Sequence, residues 1–391
     1  MRLSPRERVR IALDHGEPDR IPIDFGSTAV SGITLSAYKQ LRVALGLREK
    51  KPVILSKAFQ LAEVDEDVFQ HFKIDFRPVF YNSHRVELCS SSSSDRYTDE
   101  WGVVRFRPSG GLYFDIIESP LADADIDDLE TYPWPDPLAS FRFDGIESLA
   151  MNLHENTDYA LVGPGYDGGF FEDAWMMRGY EQFLMDLLIN QEFSIALMRN
   201  ILDIRKVMTG RYLELVGKYL DVVYVADDLA TQSGLLISPQ TYRSIVKPLQ
   251  RDYYQFIKER TEAKLFYHCC GNIEPLLEDF IEIGVDIINP VQVSIEGLDV
   301  QRIKEKYGDR ICFWGGIDTQ QVLPQGNRED VRDEVRTRVS ELARGGGYVL
   351  APVHNIQPDV KPENISVMYE AVKEFGEYPI GADDAGPLSS A

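Results

Sequence analysis

Short, unbroken apolar runs that stop abruptly at polar residues recur through the second half of the chain, each followed by a stretch with helical periodicity. Tyr159-Ala160-Leu161-Val162-Gly163 stops at Gly165-Tyr166-Asp167, Val222-Val223-Tyr224-Val225-Ala226 at Asp227-Asp228, and Leu265-Phe266-Tyr267 at His268-Cys269-Cys270. Asp286-Ile287-Ile288-Asn289-Pro290 stops at Val291-Gln292, Ile311-Cys312-Phe313-Trp314 at Gly315-Gly316-Ile317-Asp318, and Tyr348-Val349-Leu350-Ala351-Pro352 at Val353-His354. The spacing predicts helices over 172–188, 192–217, 239–260, 273–283, 300–307, 329–344 and 362–375. Ser4-Pro5-Arg6-Glu7 predicts a capped helix to about His15, and Ile21-Pro22-Ile23-Asp24-Phe25 a further short strand ending near Asp24.

Continuously apolar strands alternating with helices are parallel strands covered on both sides. Right-handed crossovers leave an open doubly wound sheet or a closed (β/α)8 barrel. The strand ends decide for the barrel. Asp24, Asp167, Asp227, Asp228, His268, Cys270, Asn289, Gln292, Asp318 and His354 would be strung along an open edge, with about 4.8 Å between strands, but a barrel gathers them over one mouth. The expectation is an α/β chain forming one TIM-barrel domain over residues 1–391, with an N-terminal helical extension. Alternating stretches such as Val86-Glu87-Leu88 and Thr98 to Phe106, with Gly110-Gly111, predict a β-hairpin insertion within about 76–137, tipped by Ser90 to Ser94. The proline-bearing connector 123–137 completes it, and about 376–391 reads as a flexible tail.

Composition narrows the functional classes. A formal net charge of −22 argues against nucleic acid or an anionic membrane surface as partner. No run approaches the roughly 18 apolar residues of a membrane span, and the first residues lead into a charged helix, so a cytoplasmic protein is expected. The chain has 4 Cys, two of them adjacent, which is no disulfide framework and leaves thiolate chemistry available.

In an extended backbone His268 and Cys270 point one way and Cys269 the other. Imidazole and thiolate together suit zinc, and His354, from the last strand end, offers a third ligand. A His2Cys set with an open position is the pattern of a catalytic metal; the alternative is that His354 acts as a free acid or base. Of Asp227 and Asp228 only one can face the mouth, as a substrate-orienting or proton-handling carboxylate, while the other caps a neighbour. Gly163-Pro164-Gly165 and Gly168-Gly169 match no phosphate-binding fingerprint. Trp175, Met176 and Met177 read as core or mouth lining.

Several segments resemble the uroporphyrinogen decarboxylase superfamily, and within it the branch related to corrinoid- and coenzyme M-dependent methyltransferases. They are Ser4 to Pro22, Trp175 to Glu181, Asp227 to Gln232, His268-Cys269-Cys270-Gly271-Asn272, Trp314 to Thr319, and His354 to Asp359. The resemblance implies a (β/α)8 barrel, often paired as a homodimer. Its zinc-dependent branch carries His-any-Cys plus a later Cys; His268 and Cys270 match, and His354 stands where the later Cys is expected. The arginine-rich N-terminal motif of the true decarboxylases is replaced by Asp24-Phe25-Gly26-Ser27-Thr28, which removes the cationic clamp for a carboxylated tetrapyrrole. The reading is therefore zinc-assisted methyl transfer between a small methylated substrate and a corrinoid (cobalamin) protein or thiol. Asp227, Asp228 and His354 are the expected catalytic groups, and Asp24, Tyr166, Asp167, Gln232, Asn289, Gln292 and Asp318 the substrate-binding ones. No cobalamin-ligand motif occurs in this chain, so the corrinoid would come on a partner. The alternative is a metal-free decarboxylase or lyase acting on a small carboxylate through Asp227 or Asp228 and His354.

Overall fold

The computed structural model describes residues 2–82, 95–164 and 168–381. Seven parallel strands form a curled sheet in chain order: β1 (Phe76–Pro78), β2 (Ala160–Gly163), β3 (Val222–Ala226), β4 (Lys264–His268), β5 (Ile287–Asn289), β6 (Cys312–Ile317) and β7 (Tyr348–Pro352). Every neighbouring pair is parallel, as the apolar strand-helix alternation requires. β1 was counted by its pattern with the insertion. It pairs instead with β2, and the excursion begins after it.

Residues 21–24 close the ring between β7 and β1. Asp24 N–H donates to the Leu350 carbonyl at 3.0 Å, Leu350 N–H to Pro22 at 3.0 Å, and Asp75 N–H to Ile23 at 3.1 Å. Pro22 has no N–H to give, so this eighth position is made of one isolated bridge, Ile23 to Leu350, and single backbone bonds, not a regular ladder. Side chains reinforce it. The fully buried Asp75 carboxylate accepts from Ile23 N–H at 2.9 Å and pairs with Arg8 at 2.7 Å and Arg20 at 2.8 Å. Arg8 also grips Asp19 at 2.7 Å. The first helix (Pro5–Leu13), with its Ser4–Glu7 capping box, delivers Arg8 to that site.

Strand alternation fixes what lies inside. Phe76, Tyr224, Phe266 and Trp314 fill the barrel interior, with Phe76–Trp314, Phe266–Trp314 and Tyr224–Phe266 centroids 4.5, 5.1 and 5.3 Å apart. Tyr267, one residue on from Phe266, faces outward against Phe280 of the surrounding helices. Two residues on, His268 again faces inward, above this aromatic floor.

Two small antiparallel sheets cover the mouth. One joins Ile33–Thr34, Ile54–Ser56 and Leu61–Ala62. The insertion is a three-stranded sheet of Arg96–Thr98, Val104–Phe106 and Asp115–Glu118, one strand more than a hairpin. The expected Val86–Leu88 strand, the Ser90–Ser94 tip, Tyr166 and Asp167, and the tail from 382 lie outside the described residues. Among the described residues no helix is long and apolar enough to cross a membrane.

Candidate active site

A cavity of about 230 Å³ lies at the carboxyl ends of the strands, bounded by His268, His354, Asn355, Asp228 and Tyr224 from the barrel. Glu172, Asp173 and Met176 come from the helix after β2, and Asp99, Glu100, Trp101 and Arg105 from the insertion sheet. Ala29, Ser56 and Phe59 close the remaining side.

His268, Cys270 and His354 converge here, with one potential ligand atom of each within 4.8 Å of the others. Cys270 Sγ stands 3.3 Å from His268 Nε2, and the two imidazole centroids are 5.5 Å apart. Cys269 points away, as strand alternation demands, its sulfur accepting from Leu229 N–H at 3.2 Å.

The tautomer of His268 follows from its neighbours. Asn289 uses its amide nitrogen to donate to the Trp314 carbonyl at 2.9 Å, so its Oδ1 faces His268 Nδ1, 2.5 Å away. A carbonyl-type acceptor there places the proton on Nδ1 and leaves the Nε2 lone pair toward Cys270 and the cavity. Burial lowers the pKa of both His268 and His354 to about 4, so both rings are neutral and able to ligate at pH 7. Burial and the Asp228 carboxylate push the Cys270 thiol up. The donor set fits a borderline-soft divalent ion: two neutral imidazole nitrogens, one sulfur and room for a further ligand. A bound cation would hold the thiol as thiolate.

The two adjacent aspartates divide as expected. Asp227 turns away from the cavity and caps the Phe170–Arg178 helix, accepting from Phe171 N–H at 3.2 Å and Glu172 N–H at 2.9 Å. Burial raises its pKa to about 8, against the pull of those two donors. A Cβ on Gly169 would fall 2.0 Å from Asp227 Cγ, so only glycine lets the helix start sit so close. Asp228 lines the cavity, accepting from Cys270 N–H at 2.7 Å, with His268 Nε2 3.9 Å away.

The other expected site residues scatter. Asp24 is fully buried beside the interior, accepting from Trp314 Nε1 at 3.1 Å and Ser27 N–H at 3.2 Å, and does not line the cavity. Asp318 caps its own turn through Gln320 N–H at 2.7 Å. Gln292 accepts from Gly271 N–H at 2.6 Å, holding the loop after Cys270, and Gln232 bridges to Gln320 at 2.8 Å on the exposed rim. Asn289 is a holder of His268 and lines no open space.

Other cavity groups were not expected from the sequence. Glu172 lies beside Asp228 in the cavity wall, accepting from the Asp228 N–H, its pKa raised well above the ordinary range by burial and by the carboxylates of Asp228, Asp227 and Asp173. Its position in the first turn after Gly168-Gly169 was the available signal. Asp173 pairs with Arg205, and Asp99 with Arg105 at 2.9 Å. Tyr113, from the insertion, supports the wall from behind, donating to Oδ1 of the lining residue Asn355 at 3.1 Å, next to His354. Nothing in its local pattern marked it.

A family model described as Uroporphyrinogen decarboxylase (URO-D) matches residues 106–375. A uroporphyrinogen decarboxylase of Methylococcus capsulatus is 36% identical over 77 residues, 20% of this chain and 21% of that protein. The match to the Pseudoalteromonas translucida decarboxylase is similarly short, covering 22% of its length. One from Legionella pneumophila is 24% identical over 275 residues, covering 68% of this chain and 74% of the relative. Among solved structures, a methyltransferase from Methanosarcina mazei superposes with a TM-score of 0.65 over 95% of this chain and 99% of that one, at 18% identity, a likeness of fold. With the family match running from the insertion sheet through the last helix, the chain belongs to the uroporphyrinogen decarboxylase family.

Proposed function

We propose that this protein is a methyltransferase whose metal, most simply zinc, is held by His268, Cys270 and His354, and whose small methylated substrate lies in the cavity between that triad and Glu172. The observation that carries the reading is the convergence of three ligand atoms within 4.8 Å, at the mouth of a barrel whose fold is shared with a methyltransferase. When bound, the ion supplies Lewis acidity, lowering the pKa of whichever thiol or oxygen loses or accepts the methyl group. The chain's own residues do the rest. Asn289 sets the ring of His268, Asp228 positions the Cys270 backbone, and the insertion sheet forms one wall of the cavity. The acceptor is a thiol, or a cobalamin carried by a separate corrinoid protein.

The second reading, a metal-free carboxy-lyase using Asp228 and His354, is supported by the names of the curated relatives. The cavity supports it less for a tetrapyrrole. Its walls carry more carboxylates than cations, the wrong sign for a polycarboxylate. Elemental analysis separates the two. The first reading expects about one zinc per chain, lost in His268→Ala and Cys270→Ser, together with methyl transfer to cob(I)alamin or a thiol. Metal-free protein with no transfer, or full turnover in Cys270→Ser, would sink it.

A further inference from the structure

The charges around the cavity do not balance, and the imbalance bears on the substrate. Two of the wall's aspartates are matched by arginines, Asp99 with Arg105 and Asp173 with Arg205, and Glu100 pairs with Arg142. A divalent ion on the Cys270 thiolate and two neutral imidazoles leaves one net positive charge, beside which Asp228 supplies one negative. Glu172 remains. Among the described residues no lysine, arginine or protonated histidine pairs with it, and the groups acting on it are other carboxylates and the Asp228 N–H. The aromatic residues Phe59, Trp101 and Tyr224 line the same space.

We infer that the cavity takes a small, permanently charged organic cation carrying a methyl group, a quaternary ammonium or a sulfonium, seated against Glu172. The inference rests on the methyl-transfer reading and names its donor class. A cation of this kind fills the missing countercharge at Glu172, whose ionised form burial otherwise disfavours, and packs its methyl groups on ring faces. The step balances without a proton. The acceptor's thiolate sulfur, or the cobalt of cob(I)alamin, attacks the methyl carbon, the C–N or C–S bond breaks, and its electron pair stays on nitrogen or sulfur, releasing a neutral amine or thioether. Charge falls as donor and anionic acceptor combine, which a low-dielectric cavity favours over water.

The test compares choline with 3,3-dimethyl-1-butanol, its uncharged carbon isostere, by calorimetric titration of the full chain. Choline is expected to bind at least about tenfold more tightly. Glu172→Gln should bring choline to within about threefold of the alcohol while moving the alcohol less than about twofold. Equal affinity, tighter binding of the alcohol or of 3,3-dimethylbutanoate, or no binding of any of them at about 10 mM overturns the proposal. Should Glu172→Gln fail to fold by circular dichroism, the wild-type comparison alone decides. Metal content and methyl transfer are measured on the same sample. Cation preference without either would refute the methyl-transfer reading while the selectivity stood, and zinc-dependent transfer without cation preference would do the reverse.

Discussion

His268 donates through Nδ1 to the side-chain oxygen of Asn289, an oxygen whose orientation is set because the Asn289 amide nitrogen donates to the Trp314 carbonyl. A backbone group on one strand thereby determines which imidazole nitrogen on another is free to ligate. Asn289→Ala should weaken zinc binding by about 10–100-fold, the usual cost of losing a ligand's hydrogen-bonded support, with little change in the fold. Competition with a chromophoric chelator measures it, and unchanged affinity would refute the assigned role.

The two neutral imidazoles make the metal-free protein acid-sensitive. Their folded pKa is about 4, against about 6.5 when unfolded, so between those values the unfolded chain binds protons that the native one does not. Their contribution is therefore intact above about pH 6.5 and is lost as pH falls toward 4, by about 1.4 kcal/mol per unit for each ring. Urea unfolding of metal-free protein between pH 7 and 5 should show that slope. His354→Asn should reduce it, and a slope identical in the variant would be contrary.

The barrel closure depends on a buried carboxylate shared by two arginines. Asp75→Ala strands Arg8 and Arg20 and takes the acceptor from Ile23 N–H. A loss of about 3–5 kcal/mol is expected in chemical denaturation. A loss below about 1 kcal/mol would mean that the seam is held by backbone bonds alone.

Gly169→Ala tests the division of labour between the adjacent aspartates. The new methyl would meet Asp227 Cγ at 2.0 Å and the Ala226 carbonyl at 2.3 Å, so the helix start or the Asp227–Asp228 loop must move. About 1–3 kcal/mol should be lost, with activity falling further because Asp228 and Glu172 sit on the displaced segments. Thermal unfolding and turnover of the same preparation would check both.

The barrel was legible because strands buried on both faces read as apolar runs, and their polar ends then had one plausible reason to exist. The His268, Cys270 and His354 cluster followed from alternation plus convergence. Asp24 and Asp318 were expected at the site because strand ends alone cannot tell a cavity-facing carboxylate from one that accepts a tryptophan N–H or caps its own turn. β1 was missed because Phe76-Arg77-Pro78 is three residues long and carries an arginine, which is buried by pairing with Glu66 and lying 3.5 Å over the Tyr159 ring. Trp101, Arg105 and Tyr113 were invisible because tertiary packing of the insertion, and no local periodicity, brings them to the mouth, whereas Glu172, in the first turn of the helix after Gly168-Gly169, carried a local signal that was passed over.

The seam at 21–24 orders events during synthesis. Its hydrogen-bond partners lie at residue 75 on one side and residue 350 on the other, so the segment must wait for a strand made long after it before both its flanks are paired. Until then the cylinder stays an unsealed, curling sheet, and the cup that gathers His268, Cys270 and His354 takes its final shape only when the 21–24 segment is latched.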